Sequence, residues 1–313
     1  MVTAGPLPPL KLCLSGGGVK ALAHIGAMEV LKERGLLGAV KEYIGVSAGA
    51  LCAFCMCLGC SLSELRMIVE MMDFSQLRHL EPETLMQFPD VYGMDTGDNL
   101  MKLLTAILRA KNLSPSITFE ELGRLKIGPR LRVYATDLNL CRAVELSEST
   151  EPGLEVRLAL KASMSIPLYF QPVRHPASGH LLVDGGVVSH SPLRFLSQEE
   201  KDVTLSITFS DKHKVSEEIV GFLPYLKQLY YALHYESHQE LHGGPYEERT
   251  IFLDCGNFNS LNFEMGLEDK IGLMRAGRKS AELFLESYKK HRRVAGRRAS
   301  WNGELATNNR SMQ

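Results

Sequence analysis

The chain has almost no net charge: 35 Lys and Arg stand against 36 Asp and Glu, a balance of -1. That excludes the global basic field that nucleic-acid binding needs. It also lacks a disulfide framework. Its seven Cys are an odd number, and Cys52, Cys55, Cys57 and Cys60 crowd into one apolar run. This usage fits reduced thiols and a cytoplasmic setting. On one helix these four positions scatter around the axis, so they read as small apolar fillers. No calcium-loop or zinc-ligand spacing occurs, so neither metal nor cofactor is expected. There is no internal repeat and no long low-complexity linker. The N-terminus has no basic region followed by an apolar one, so no secretory signal is expected. Residues 1–9 read as a flexible, Pro-rich leader, and 295–313 as a disordered tail. Residues 43–63 are uncharged, and about 20 such residues can cross a bilayer. Gly45, Ser47, Gly49, Gly59 and Ser61 interrupt them, so a buried strand and helix is the better reading.

What is present is ordinary globular material: 45% hydrophobic and 23% charged residues over 313 positions, enough for a sizeable core. Apolar runs at 10–15, 43–47, 131–137, 142–147, 181–186, 202–209 and 249–255 predict strands. Helical spacing predicts helices at 19–34, 48–59, 61–72, 96–109, 155–164, about 215–241 and 267–291. Ser61 with Glu64, and Thr118 with Glu121, are capping boxes. Residues 73–95 read as a surface loop, with a lid carrying Leu80, Leu85, Met86, Phe88 and Tyr92 as the rival. The alternation predicts one α/β domain over 10–294, three layers deep, with a central, mainly parallel sheet between helices.

Three motifs carry chemistry. Gly45-Val46-Ser47-Ala48-Gly49 is a G-x-S-x-G between a strand and a buried helix. A sharp turn there holds Ser Oγ out of the sheet, at a helix N-terminus that favours negative charge. Gly16-Gly17-Gly18 also lies between a strand and a helix. Its amides can serve as an oxyanion hole or hold pyrophosphate. Gly16, Gly18 and Ala21 match a dinucleotide-binding spacing, but the next strand ends in Ser47 where an acidic residue should bind ribose. Asp184-Gly185-Gly186 follows an apolar strand. Taken alone it is a common turn pair; beside a serine it is a general base.

Together these motifs resemble the patatin-like phospholipase family. The resemblance rests on LSGGGVKALAHIGAMEVL, IGVSAGAL and LLVDGGVV in that order, joined by RVYATDLN and LALKASMSIPLYFQPV. It covers about residues 10–210. It implies a Ser–Asp dyad that hydrolyses acyl esters of phospholipids or lysophospholipids. Ser47 is then the nucleophile and Asp184 the base. Gly17 and Gly18, helped by Gly16, hold the oxyanion, and Lys20 orients the loop, meets lipid phosphate or is simply a solvated helix-start lysine. Ala21 departs from the family's usual Gly, and His190 lies in a segment where an Asn commonly precedes the Pro. A Ser–Asp–His triad using His190, His234 or His238 is the rival mechanism. A neutral-lipid or small-ester hydrolase, or a non-catalytic lipid-binding protein, shares the same residues. Between Lys270 and Arg298, ten Lys and Arg face two Glu. That surplus fits either a solvated helix end or a peripheral contact with anionic membrane.

Overall fold

The computed structural model describes residues 8–77, 86–210, 219–221, 225, 228, 232 and 244–310, with side chains to Tyr288. Ten strands form: β1 (Lys11–Leu14), β2 (Glu42–Val46), β3 (Gly93–Asp95), β4 (Arg130–Asp137), β5 (Arg142–Ser147), β6 (Leu168–Phe170), β7 (Val173–Arg174), β8 (Leu181–Asp184), β9 (Thr204–Phe209) and β10 (Thr250–Leu253). The large sheet has the order β10-β9-β1-β2-β4-β8-β7, with β5 also paired to β4. Its pairings from β10 through β4 are all parallel; those of β4 with β5, β4 with β8 and β8 with β7 are antiparallel. The sheet is therefore mixed and mostly parallel. β3 and β6 form a separate parallel pair.

The helices used below are α1 (Leu22–Glu33), α2 (Ala48–Cys57), α3 (Leu62–Met71), α4 (Phe88–Val91), α5 (Asp98–Ala110), α6 (Phe119–Leu125), α7 (Val156–Met164), α8 (Gln198–Asp202) and α9 (Leu267–Arg310). Both expected capping boxes open their helices, α3 and α6. Alternation along the strands divides the two faces of the sheet. Leu12, Leu14, Tyr43, Val133, Ala135, Leu205 and Ile207 face the main core with α1, α2 and α9. Cys13, Ile44, Val46 and Tyr134 face a smaller cluster with Leu193 and Leu196. On that second face Lys11 and Arg132 pair with Glu42 and Glu200, and Arg132 also with Glu145.

Several boundaries differ from the sequence expectation. Residues 18–21 are a 3-10 turn before α1. The span 73–95 contains a 3-10 turn, α4 and β3 rather than a plain loop. β3, β6 and β7 are too short to display a period-2 pattern, and the pairing of β3 with β6 is non-local. α9 continues past residue 295, where a tail is expected. The helix expected at 215–241 lies almost wholly outside the described residues. Residues 43–63 are divided between β2, α2 and the start of α3. Among the described residues no helix is long and apolar enough to cross a membrane.

Candidate active site

The Gly45–Gly49 motif forms a tight elbow between β2 and α2. Ser47 is held at φ 54° and ψ -131°, a region that L-residues seldom occupy. The flanking glycines are sterically required. A Cβ on Gly45 would stand 2.3 Å from Ala50 Cα, and one on Gly49 would stand 2.3 Å from the carbonyl oxygen of Leu14. The Ser47 N–H donates to Ser163 Oγ at 2.9 Å.

The opposing strand brings Asp184 to this elbow. On β4, Tyr134 pairs with Val46 and the next residue, Ala135, pairs with Asp184. β5 occupies the other edge of β4, so β2 and β8 meet end to end on one edge. Ser47 Oγ donates directly to Asp184 Oδ2 at 2.5 Å, with no histidine between them. Asp184 Oδ1 accepts the Gly186 N–H at 2.7 Å, and the Asp184 N–H donates to the Ser165 carbonyl at 2.8 Å. Asp184 is 4% exposed. Burial pushes its carboxyl up to about 7, opposed by the hydrogen bonds from Ser47 and Gly186. A carboxylate so placed can take the hydroxyl proton near neutral pH.

The glycine run after β1 lies where the sheet order reverses, between β9 and β2. The Gly16 N–H is committed to the His190 carbonyl at 3.0 Å. That bond engages the amide expected to help Gly17 and Gly18 hold an oxyanion. The amides of Gly17 and Gly18 are taken by no turn or loop bond among the described residues. A Cβ on Gly17 would stand 2.2 Å from the Phe209 ring, and one on Gly18 would stand 2.1 Å from the Ser260 carbonyl oxygen. Gly18 also has φ 54°. Only glycine fits this approach. Lys20 is buried, with Nζ 4.9 Å from the Phe209 ring centroid. It is therefore not a solvated helix-start lysine.

Sequence reasoning missed three supporting residues. His24 is fully buried; its ring lies 5.1 Å from Phe209 and its Nε2 bonds the Ser15 carbonyl at 2.9 Å. Burial pulls its pKa down to about 4, against that carbonyl bond, so the ring is neutral. A histidine inside an apolar helix gives no signal by itself. Ser163 and Ser165 lie in LALKASMSIPLYFQPV, and only the resemblance pointed to that stretch.

The other candidates fall elsewhere. His190 touches the site through its carbonyl, and its Nδ1 lies 3.3 Å from an ideal Cβ on Gly16. His234 and His238 lie outside the described residues, as do Leu80 and Leu85. Met86 and Tyr92 are exposed. All seven cysteines are free. α2 ends at Cys57, so Cys60 lies beyond it and does not scatter around the helix as expected. Its N–H bonds the Cys55 carbonyl at 3.0 Å, and a thiol bond from Cys55 pulls the Cys60 pKa down. Among the described residues no group of three or more His, Cys, Asp or Glu is placed to hold a metal ion. Of the four basic residues of α9 whose side chains are described, two are tied into the fold. Lys270 bonds the Met72 and Glu70 carbonyls, and Arg278 pairs with Glu29 and Glu33.

Comparison with known proteins places this geometry in a family. The profile described as Patatin-like phospholipase matches residues 12–197. The uncharacterized protein YqhO of Bacillus subtilis is 29% identical over 88% of this chain and 97% of its own. The probable lipid hydrolase 463L of Invertebrate iridescent virus 6 is 28% identical over 58% of this chain and 61% of its own. Among solved structures, VipD from Legionella pneumophila superposes with a TM-score of 0.61 at 18% identity, over 91% of this chain and 68% of that one. The type III effector ExoU superposes with a TM-score of 0.53, also at 18% identity, over 91% and 54%. These likenesses concern the fold. The profile spans more than half of the chain, including Ser47, Asp184 and the glycine run, and the chain belongs to the patatin-like phospholipase family.

Proposed function

We propose that the protein is a lipid acyl hydrolase working through Ser47 and Asp184. The observation that carries this reading is the direct 2.5 Å bond between Ser47 Oγ and the buried carboxylate. Asp184 takes the hydroxyl proton as Ser47 Oγ attacks the acyl carbonyl carbon. The amides of Gly17 and Gly18 face the charge that develops on the carbonyl oxygen. As the C–O bond breaks, Asp184 returns the proton to the departing alcohol, leaving an acyl-enzyme. Water then attacks that ester and gives its proton to Asp184. Ser47 leaves with the proton, and the fatty acid is released.

The family description supports a phospholipid or lysophospholipid substrate, and the viral relative's name supports a lipid. Neutral lipids and small esters are the competing substrates; a lipid-binding protein without turnover is the remaining alternative. The test is fatty-acid release from phosphatidylcholine vesicles, triglyceride emulsions and short-chain esters, with EDTA present. Release is expected to be fastest from the phospholipid and to fall at least about 1,000-fold in Ser47→Ala. Preference for the emulsion or the short ester corrects the substrate, and no release from any of them favours the binding protein. We also propose that the basic end of α9 docks on anionic membrane, each cation adding about 1 kcal/mol near the surface. Equal sedimentation with anionic and zwitterionic vesicles would rule that out.

A further inference from the structure

We propose that Ser163 is a positioning residue that sets the angle of the Ser47 elbow. The inference rests on the Ser–Asp reading above and adds to it the group that holds the pair in register. Ser163 is fully buried in the last turn of α7. Its hydroxyl donates to the Tyr134 carbonyl at 2.6 Å and accepts the Ser47 N–H at 2.9 Å. The single hydroxyl proton goes to the carbonyl, so a lone pair must face the amide. Both bonds therefore have one direction.

The position of this bridge is specific. Val46 and Tyr134 are the last residues that β2 and β4 pair with each other. Beyond them the ladder stops, and Ser47 turns to a positive φ. Ser163 supplies the next cross-link where the ladder cannot. A helix serine ordinarily bonds the carbonyl four residues back, as Ser165 does to Lys161 at 2.8 Å. Ser163 instead reaches across to the sheet. Two residues on, the Ser165 carbonyl accepts the Asp184 N–H at 2.8 Å. One helix end thus holds the nucleophile's backbone and the base's backbone together. Without the Ser163 oxygen, the buried Ser47 N–H has no acceptor, the elbow relaxes, and Oγ swings off Asp184.

The test measures kcat, KM and the pH–rate profile on a chromogenic ester for Ser163→Ala, Ser163→Thr and Ser163→Cys, beside Ser47→Ala and a thermal melt of each. Ser163→Ala is expected to lose about 10- to 100-fold in kcat, the cost of a misplaced reacting atom, with KM changed less than about 2-fold. Its acid limb should move to higher pH, because Asp184 loses the Ser47 bond that holds its pKa down. Ser163→Thr, which keeps the hydroxyl, should recover most of kcat and the original limb. Ser163→Cys, with a weak acceptor, should fall between them, and it serves if the Ala variant does not fold. A folded Ala or Cys variant with wild-type kcat and an unmoved acid limb would overturn the inference. So would a loss that Thr does not rescue. An active Ser47→Ala overturns the dyad reading and this inference together. An inactive Ser47→Ala beside a wild-type-like Ser163→Ala overturns this inference alone.

Discussion

Asp184 shows what one buried carboxyl costs the fold and gives the site. Its pKa is raised to about 7 by burial. Turnover needs the ionised form, so the rate should fall below pH 7 with one proton taken up. The stability effect has the matching sign. Below about pH 4 both folded and unfolded chains carry the proton, and nothing is lost. Between about 4 and 7 the unfolded chain ionises while the folded one does not, so stability declines as pH rises. The window amounts to roughly 4 kcal/mol. Asp184→Asn should remove it. Urea melts at pH 4.5 and 7.5 should show the wild type losing stability relative to the Asn variant at the higher pH; a difference independent of pH contradicts the burial account. His24 acts in the opposite sense. Its depressed pKa gives stability that is complete above about 6.5 and is lost as pH falls toward 4. Ser47 and Asp184 were legible because each sits in a short motif at a strand end. His24 and Ser163 were not, because a buried polar residue inside a helix looks like its neighbours until its partner across the core is known.

At the scale of elements, α1 and α9 cross where both lack a side chain. A Cβ on Gly26 would stand 1.8 Å from the Met274 carbonyl oxygen, and one on Gly277 would stand 1.9 Å from that of Ala23. Backbone cannot give way as a side chain can, so Gly277→Ala should destabilise by about 1–3 kcal/mol or more. Gly272 in the same helix meets nothing within 4 Å. Gly272→Ala should stabilise by up to about 1 kcal/mol, through helix propensity alone. Thermal melts of the two variants should move in opposite directions; movement in the same direction removes the crossing as the cause. Periodicity made both helices legible. The crossing was not, because a glycine inside a helix reads only as a weak position. The glycine run behaves in the same way. Its three members look equivalent in sequence, and only the His190 carbonyl distinguishes Gly16 from the other two.

At the scale of the molecule, the alternation of strands and helices predicted the layered sheet, and the motif order predicted which strand ends carry the site. The meeting of β2 and β8 on one edge of β4 was beyond reach, since it brings together Ser47 and Asp184, 137 positions apart, and leaves no local pattern. That meeting is the centre of the account. It places a carboxylate, rather than a histidine, against the serine. The most direct test is single-turnover hydrolysis of a phospholipid acyl ester in EDTA by Asp184→Asn, with His190→Ala alongside. The account predicts a loss of at least about 1,000-fold in Asp184→Asn and a much smaller change in His190→Ala, whose backbone carbonyl is retained. Turnover that survives in Asp184→Asn and vanishes in His190→Ala would contradict it.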